Sequence, residues 1–79
     1  MKVAIVRGED WEGLYINDRL MNENHSIMAA RALKILSEAF NALPPNSNPI
    51  IEVEAVDADD EWLSTRGSLP RNLKDVKRA

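Results

Sequence analysis

His25 is the side chain best suited to chemistry, because the chain contains one histidine and no cysteine. Histidine changes charge near neutral pH and serves as a general base or a metal ligand. Ser26 follows it directly, but adjacent residues seldom converge on one reacting atom, and no nucleophile-elbow motif is present. We therefore expect His25 to order the turn before a helix, by bonding Glu23 or a backbone carbonyl. The alternative is a small enzyme in which folding brings Glu23, Asp10 or Glu12 beside the ring.

The acidic segment 57–61, Asp-Ala-Asp-Asp-Glu, resembles the first half of a calcium-binding loop. Such a loop requires glycine at its sixth position and a bidentate carboxylate at its twelfth. Those positions hold Trp62 and Ser68, so the sequence predicts no metal site. Acids here are typical of a helix N-terminus, where Asp57 or Asp59 can cap backbone N–H groups of a short helix that Gly67 should end. The three glycines fit no phosphate-binding motif, so no cofactor is predicted either.

The charged residues are divided along the chain. The formal net charge is −3, which disfavours general binding to a phosphate backbone. Residues 52–61 nevertheless carry only acidic charges, whereas residues 66–78 carry mainly basic ones, and the two segments can pair with each other. The first alternative function is therefore a nucleic-acid-linked regulator that uses the basic C-terminal tail.

The length of 79 residues predicts a single domain over residues 1–79, near the lower size limit for folding without disulfides or metals. The absence of cysteine is typical of a reducing compartment, so we expect a cytoplasmic protein. The apolar run at 3–6 is too short for a signal peptide, and no run is long enough to span a bilayer. The sequence therefore predicts a soluble protein with no membrane partner.

Three segments carry strand patterns. Residues 2–7 contain a continuous apolar run, which is typical of a strand buried on both faces. The segment 11–21 predicts a hairpin that turns at Asn17 and Asp18, since both residue types tolerate positive φ. Residues 50–56 alternate between apolar and acidic side chains, which indicates a strand with one wet face. With a loop over 46–49 and a right-handed crossover, these segments predict an α+β fold whose mixed four-stranded sheet has the order 3-2-1-4.

One main helix is the clearest element. Ser26 is a suitable N-cap for a run over 27–43 that lacks glycine and proline, and the two prolines that follow should end it. Its polar side chains form one narrow stripe, so most of the circumference is apolar, although packing on a single sheet face needs one apolar stripe. We expect the helix to pack on one face of the sheet. Its remaining apolar surface should be covered by a short helical C-terminal segment or by a second chain.

These features favour protein binding over catalysis. The leading prediction is a small cytoplasmic protein-binding module (a regulator, inhibitor or adaptor) that binds a protein partner or forms a homo-oligomer such as a homodimer. Large apolar and aromatic side chains anchor such interfaces, and the predicted partner-binding residues are Trp11, Leu33, Leu36, Phe40 and Trp62. The two tryptophans are expected in the core or at its rim unless folding exposes them. No catalytic residue is predicted.

Overall fold

The computed structural model describes residues 1–46 and 50–79, so positions 47–49 of the predicted loop lie outside the described residues. Four strands form one sheet: β1 (Lys2–Arg7), β2 (Glu12–Ile16), β3 (Arg19–Asn24) and β4 (Glu52–Asp57). Two α-helices, α1 (Ala29–Asn41) and α2 (Asp60–Arg66), and a 3-10 turn (Leu73–Asp75) complete the described elements. The strand order is β3-β2-β1-β4. The predicted α+β class and sheet order are confirmed.

Strand β1 lies inside the sheet because its side chains are apolar on both faces. It runs antiparallel to β2 and parallel to β4, so that Val3 lies opposite Ile16 on one side and Val53 on the other. Val3, Ala4 and Val6 are all buried. A strand covered on both faces is expected to read as a continuous apolar run, which is the pattern of residues 3–6.

The hairpin between β2 and β3 turns at the predicted residues. Asn17 has a φ of 50° and Asp18 a φ of 67°. Positive φ at both central residues is the requirement of the tight turn whose twist matches a hairpin. The Asn17 side chain also accepts a hydrogen bond of 3.0 Å from the backbone N–H of Lys2, which ties the turn to the start of β1.

The C-terminal segment covers one face of the sheet, which we call the first face. Residue Asp59 caps α2 through a 2.9 Å hydrogen bond from the Trp62 N–H, and Gly67 ends the helix with a left-handed φ of 81°. Both ends agree with the predicted short helical segment. The buried side chains of this layer pack on those of the first face, and together they form the core: Ala4, Val6, Tyr15, Val56, Ala58, Leu63, Leu69, Leu73 and Val76.

Helix α1 begins later than predicted. Its N-cap is Met28, with no side-chain hydrogen bond to the helix, so the prediction of Ser26 as the cap is wrong. The physical reason is a tertiary contact, because the Glu12 carboxylate on β2 accepts a hydrogen bond of 2.9 Å from the N–H of Ile27. This bond holds the chain in a non-helical approach and replaces a local cap. The helix ends at Asn41, shortly before the two prolines.

The burial pattern assigns α1 to the second face of the sheet. Val3, Leu14 and Ile16 are buried there but do not belong to the core beneath the C-terminal segment, so another element must exclude water from them. The half-buried positions along α1 and just beyond it follow a helical spacing of three and four and form the stripe that turns inward: Ala32, Ile35, Leu36, Ala39 and Leu43. None of the described side chains of α1 is fully buried. The helix therefore covers the second face only in part.

Candidate protein-binding surface and the pocket at His25

The apolar side of β4 is exposed. The predicted alternation is present, since Val53 and Ala55 lie on the second face and Val56 on the first. Val56 is buried beneath the C-terminal segment, whereas Val53 is 69% exposed and Ala55 is also exposed. Ile51, just before the strand, is 41% exposed. The sequence pattern indicated that the acidic side would face water, but the apolar side does so as well because α1 leaves it open.

One flank of α1 is apolar and exposed. Leu33 is 66% exposed and Phe40 is 43% exposed. At 100° per residue they share one side of the helix, about a quarter turn from the half-buried stripe. The charged residues Arg31, Lys34 and Glu38 lie on the opposite flank by the same geometry. The exposed surface of the helix is therefore divided into an apolar and a charged side.

A right-handed crossover would place the apolar flank of α1 on the side of β4. The helix connects β3 to β4 across the second face, and β4 lies beyond β1 in the sheet. In a right-handed crossover the chain moves toward the following strand as it returns over the sheet. Because the α-helix is right-handed, the residues about a quarter turn ahead of its inward stripe would then face β4. Leu33 and Phe40 lie at that angle. Together with three side chains at β4 they form what we call the α1–β4 surface: Leu33, Phe40, Ile51, Val53 and Ala55.

Part of the outer edge of β4 lacks a partner strand among the described residues. The N–H of Glu52 bonds the carbonyl of Met1, and the N–H of Ala58 bonds that of Arg7. Even-numbered residues therefore direct their backbone groups toward β1, and Val53 and Ala55 direct theirs outward. At the far end of the strand this edge is occupied, because residues 77–79 run antiparallel beside 57–59. The open part spans residues 51–56.

The predicted partner-binding residues separate into two groups. Leu33 and Phe40 lie on the α1–β4 surface, whereas Leu36 belongs to the half-buried inward stripe of the helix. The tryptophans are on the other side of the sheet, where Trp11 and Trp62 are partly buried and pack against the core. The structure thus places the tryptophans at the rim of the core, as the sequence suggested. It also adds Ile51, Val53 and Ala55, whose alternation was visible in the sequence but did not reveal which side is open.

His25 lies at a pocket between the loop after β1 and α2. The pocket has a volume of about 250 Å³, and its lining includes Asp10, Trp11, Asp60 and Ser64. The ring of His25 meets that of Trp11 edge-on, with centroids 5.0 Å apart. Its Nδ1 lies 3.2 Å from the backbone carbonyl of Asp10 and 3.4 Å from a carboxylate oxygen of the same residue.

The contacts of His25 support the structural interpretation. Of the acids considered beside it, Asp10 contacts the ring, whereas Glu12 bonds the Ile27 N–H and Glu23 bonds both the indole N–H of Trp11 and the N–H of Leu69. The His25 side chain is 71% exposed, so solvent surrounds the ring and screens its interaction with Asp10. Within residues 1–46 and 50–79, no cluster of histidine and acidic side chains has the geometry of a metal site.

Comparison with protein-family models, with curated proteins and with solved structures finds no match to this chain. Among the described residues, no helix is both long enough and apolar enough to cross a membrane.

Proposed function

We propose that this protein is a small cytoplasmic protein-binding module, acting as a regulator, inhibitor or adaptor, and that it binds through the α1–β4 surface. The observation that carries the proposal is the exposure of Leu33, Phe40 and Val53, together with the open edge of β4. Contiguous exposed apolar patches on small proteins mark interaction sites. The surface is available to a different protein or to a second copy of the chain.

The position of the C-terminal segment supports this proposal. The sequence left two candidates to cover the excess apolar surface of α1, the C-terminal segment or a second chain. Leu63, Leu69 and Leu73 pack on the first face of the sheet, on the side away from α1. The segment therefore does not cover the exposed flank of the helix, which favours an intermolecular partner there.

The engagement of the basic tail favours protein binding over the nucleic-acid alternative. The carbonyl of Arg71 bonds the N–H of Leu20, and that of Lys77 bonds the N–H of Asp59. The guanidinium of Arg78 lies 3.8 Å from the Glu54 carboxylate. The tail is held along the sheet beside acidic side chains. These negative charges disfavour binding of a nucleic-acid phosphate backbone to the tail.

A charge placed on the exposed flank tests the proposal. Leu33→Asp with Phe40→Asp should abolish capture of any specific protein partner and any self-association seen by light scattering, because burying two unpaired carboxylates is costly. Ala30→Asp with Ser37→Asp is the matched control, since it adds the same charge to exposed positions of the same helix. If both double variants melt like the wild type and neither changes binding or self-association, the α1–β4 surface is not the binding site.

A further inference from the structure

We propose that the occupant of the α1–β4 surface is an extended segment of a partner protein, with alternating apolar and basic side chains, that adds as a strand to the open edge of β4. This inference rests on the proposed function and specifies the chemistry of the partner. It follows from three features of the same short segment, residues 51–56: its backbone, its apolar side and its acidic side.

The backbone of β4 provides the hydrogen bonds for strand addition. Val53 and Ala55 direct their N–H and C=O groups outward, and the edge remains open until residues 77–79 occupy it beside Asp57. Extended peptides bind such edges through main-chain hydrogen bonds, with specificity supplied by alternate side chains. The tail limits the added strand to about six residues, since it blocks continuation beyond the open part.

The apolar side of the open edge lies on the same face of the sheet as α1. Val53 and Ala55 project from the second face, the face on which the apolar flank of α1 stands with Leu33 and Phe40. An added strand that directs every second side chain to this face would place those side chains beside Val53 and Ala55, on the face to which α1 is assigned. The geometry therefore calls for apolar residues at alternate positions of the partner.

The acidic side of the edge selects basic residues at the intervening positions. Glu52 and Glu54 lie on the first face, so the other side chains of an added strand would stand beside them. The protein already shows this chemistry in its own tail, where Arg78 pairs with Ala58 on the β4 edge and its guanidinium reaches Glu54. Opposite charges on neighbouring strands attract and like charges repel.

The same acids disfavour a second copy of the chain as the added strand. Pairing two β4 edges antiparallel would bring Glu52 and Glu54 of one copy beside those of the other, at the spacing of neighbouring strands. Charged side chains on an edge strand are a common protection against such edge-to-edge pairing. A basic partner converts this repulsion into attraction.

The test uses three end-blocked synthetic hexapeptides: alternating Lys and Val, alternating Glu and Val, and a block peptide of three Lys followed by three Val. Binding to the full chain is followed by NMR with the labelled protein. We expect the Lys–Val peptide to shift the backbone signals of residues 51–56 together with those of Leu33 and Phe40. The Glu–Val and block peptides should bind at least about ten-fold more weakly, and methylation of alternate amides of the Lys–Val peptide should abolish its binding, because it removes the main-chain donors.

A charge reversal on the protein completes the test. Glu52→Lys with Glu54→Lys should weaken the Lys–Val peptide by about ten-fold or more and strengthen the Glu–Val peptide, since each ionic contact changes sign. Glu9→Lys with Glu61→Lys is the control with the same change in net charge away from the edge, and it should leave both affinities nearly unchanged. Equal binding of the two alternating peptides, or signal shifts that leave residues 51–56 unaffected, would overturn the inference.

The outcomes also separate this inference from the proposed function. Suppose that the protein forms a dimer, that the Leu33→Asp and Phe40→Asp double variant disrupts this dimer, and that the Lys–Val peptide does not. The surface then binds a second copy of the chain. In that case the proposed function stands and the strand inference is wrong. If that double variant retains the captured partner as well as the control does, the proposed function itself fails, whatever the peptides do.

Discussion

Tyr15 makes folding stability depend on alkaline pH in a way that the structure specifies. It is the chain's only tyrosine, its side chain is fully buried, and its hydroxyl donates a hydrogen bond to the backbone carbonyl of Pro70. Burial, and secondarily the negative charge of Glu23, raise the pKa of Tyr15 to about 12. The folded state therefore holds this proton more tightly than the unfolded state, in which a tyrosine titrates near its ordinary pKa of about 10.

The sign and the size of the effect follow from proton linkage. Below about pH 10 both states keep the proton, so the contribution of Tyr15 is fully present. As the pH rises toward about 12, the unfolded state loses its proton first and the free energy of unfolding falls. A difference of about two pKa units corresponds to at most about 3 kcal/mol, at about 1.4 kcal/mol per unit. For a domain whose total stability is about 5–15 kcal/mol this loss is large.

The assay is urea unfolding of the wild type and of Tyr15→Phe at a series of pH values, together with titration of tyrosinate absorbance. At neutral pH the variant should be less stable by about 1–3 kcal/mol, because the Pro70 carbonyl loses its buried donor. Above about pH 10 the wild type should lose stability faster than the variant, so that the two curves converge. In the folded wild type, tyrosinate absorbance should rise at higher pH than in the unfolded chain. If the two stability curves stay parallel through the alkaline range, or Tyr15 titrates at the same pH in both states, the linkage argument is refuted.

Four further substitutions test the packing and the turn geometry. Gly13→Ala should destabilise the fold by about 1–3 kcal/mol, because a methyl group there would collide with the Leu69 side chain; unchanged urea unfolding would show that the leucine moves aside freely. Gly67→Ala should cost about 1 kcal/mol, since its left-handed φ of 81° suits glycine, and an unaltered melting curve would contradict the described cap. Leu63→Ala should cost about 2–5 kcal/mol and Leu33→Ala less than about 0.5 kcal/mol, so similar unfolding free energies for the two would show that the buried and exposed leucines are assigned wrongly.

The order of the sheet was predictable because each step depended on a local signal. The apolar run of 3–6 indicated an interior strand, and Asn17 with Asp18 indicated the tight turn that fixes β2 against β3. Capping by Asp59 and termination at Gly67 were equally local, so α2 was found at nearly its observed position. These features depend on a few neighbouring residues, whose conformational preferences do not require knowledge of the tertiary fold.

The start of α1 was not predictable in the same way. Ser26 has the chemistry of an N-cap, but Glu12, far away in the sequence, binds the N–H of Ile27 and delays the helix to Ala29. The position of His25 depends on a similar long-range arrangement, since its ring contacts Asp10 and Trp11. Local propensity competes with tertiary contacts in such cases, and the tertiary contact decides the conformation.

The assignment of faces was the part of the candidate site that the sequence left open. The helix and the C-terminal segment are both apolar enough to cover a sheet, and the alternation of Val53 and Ala55 with Glu52 and Glu54 identifies two sides of β4 without saying which one is covered. Tyr15 decides the matter in the structure, because its hydroxyl bonds the Pro70 carbonyl and holds the C-terminal segment on the first face. Once that face is filled, α1 is the element of the described chain that remains for the second, and one helix is too narrow to cover the edge strand. The exposed apolar side of β4 is thus a consequence of a four-stranded sheet covered on its second face by a single helix.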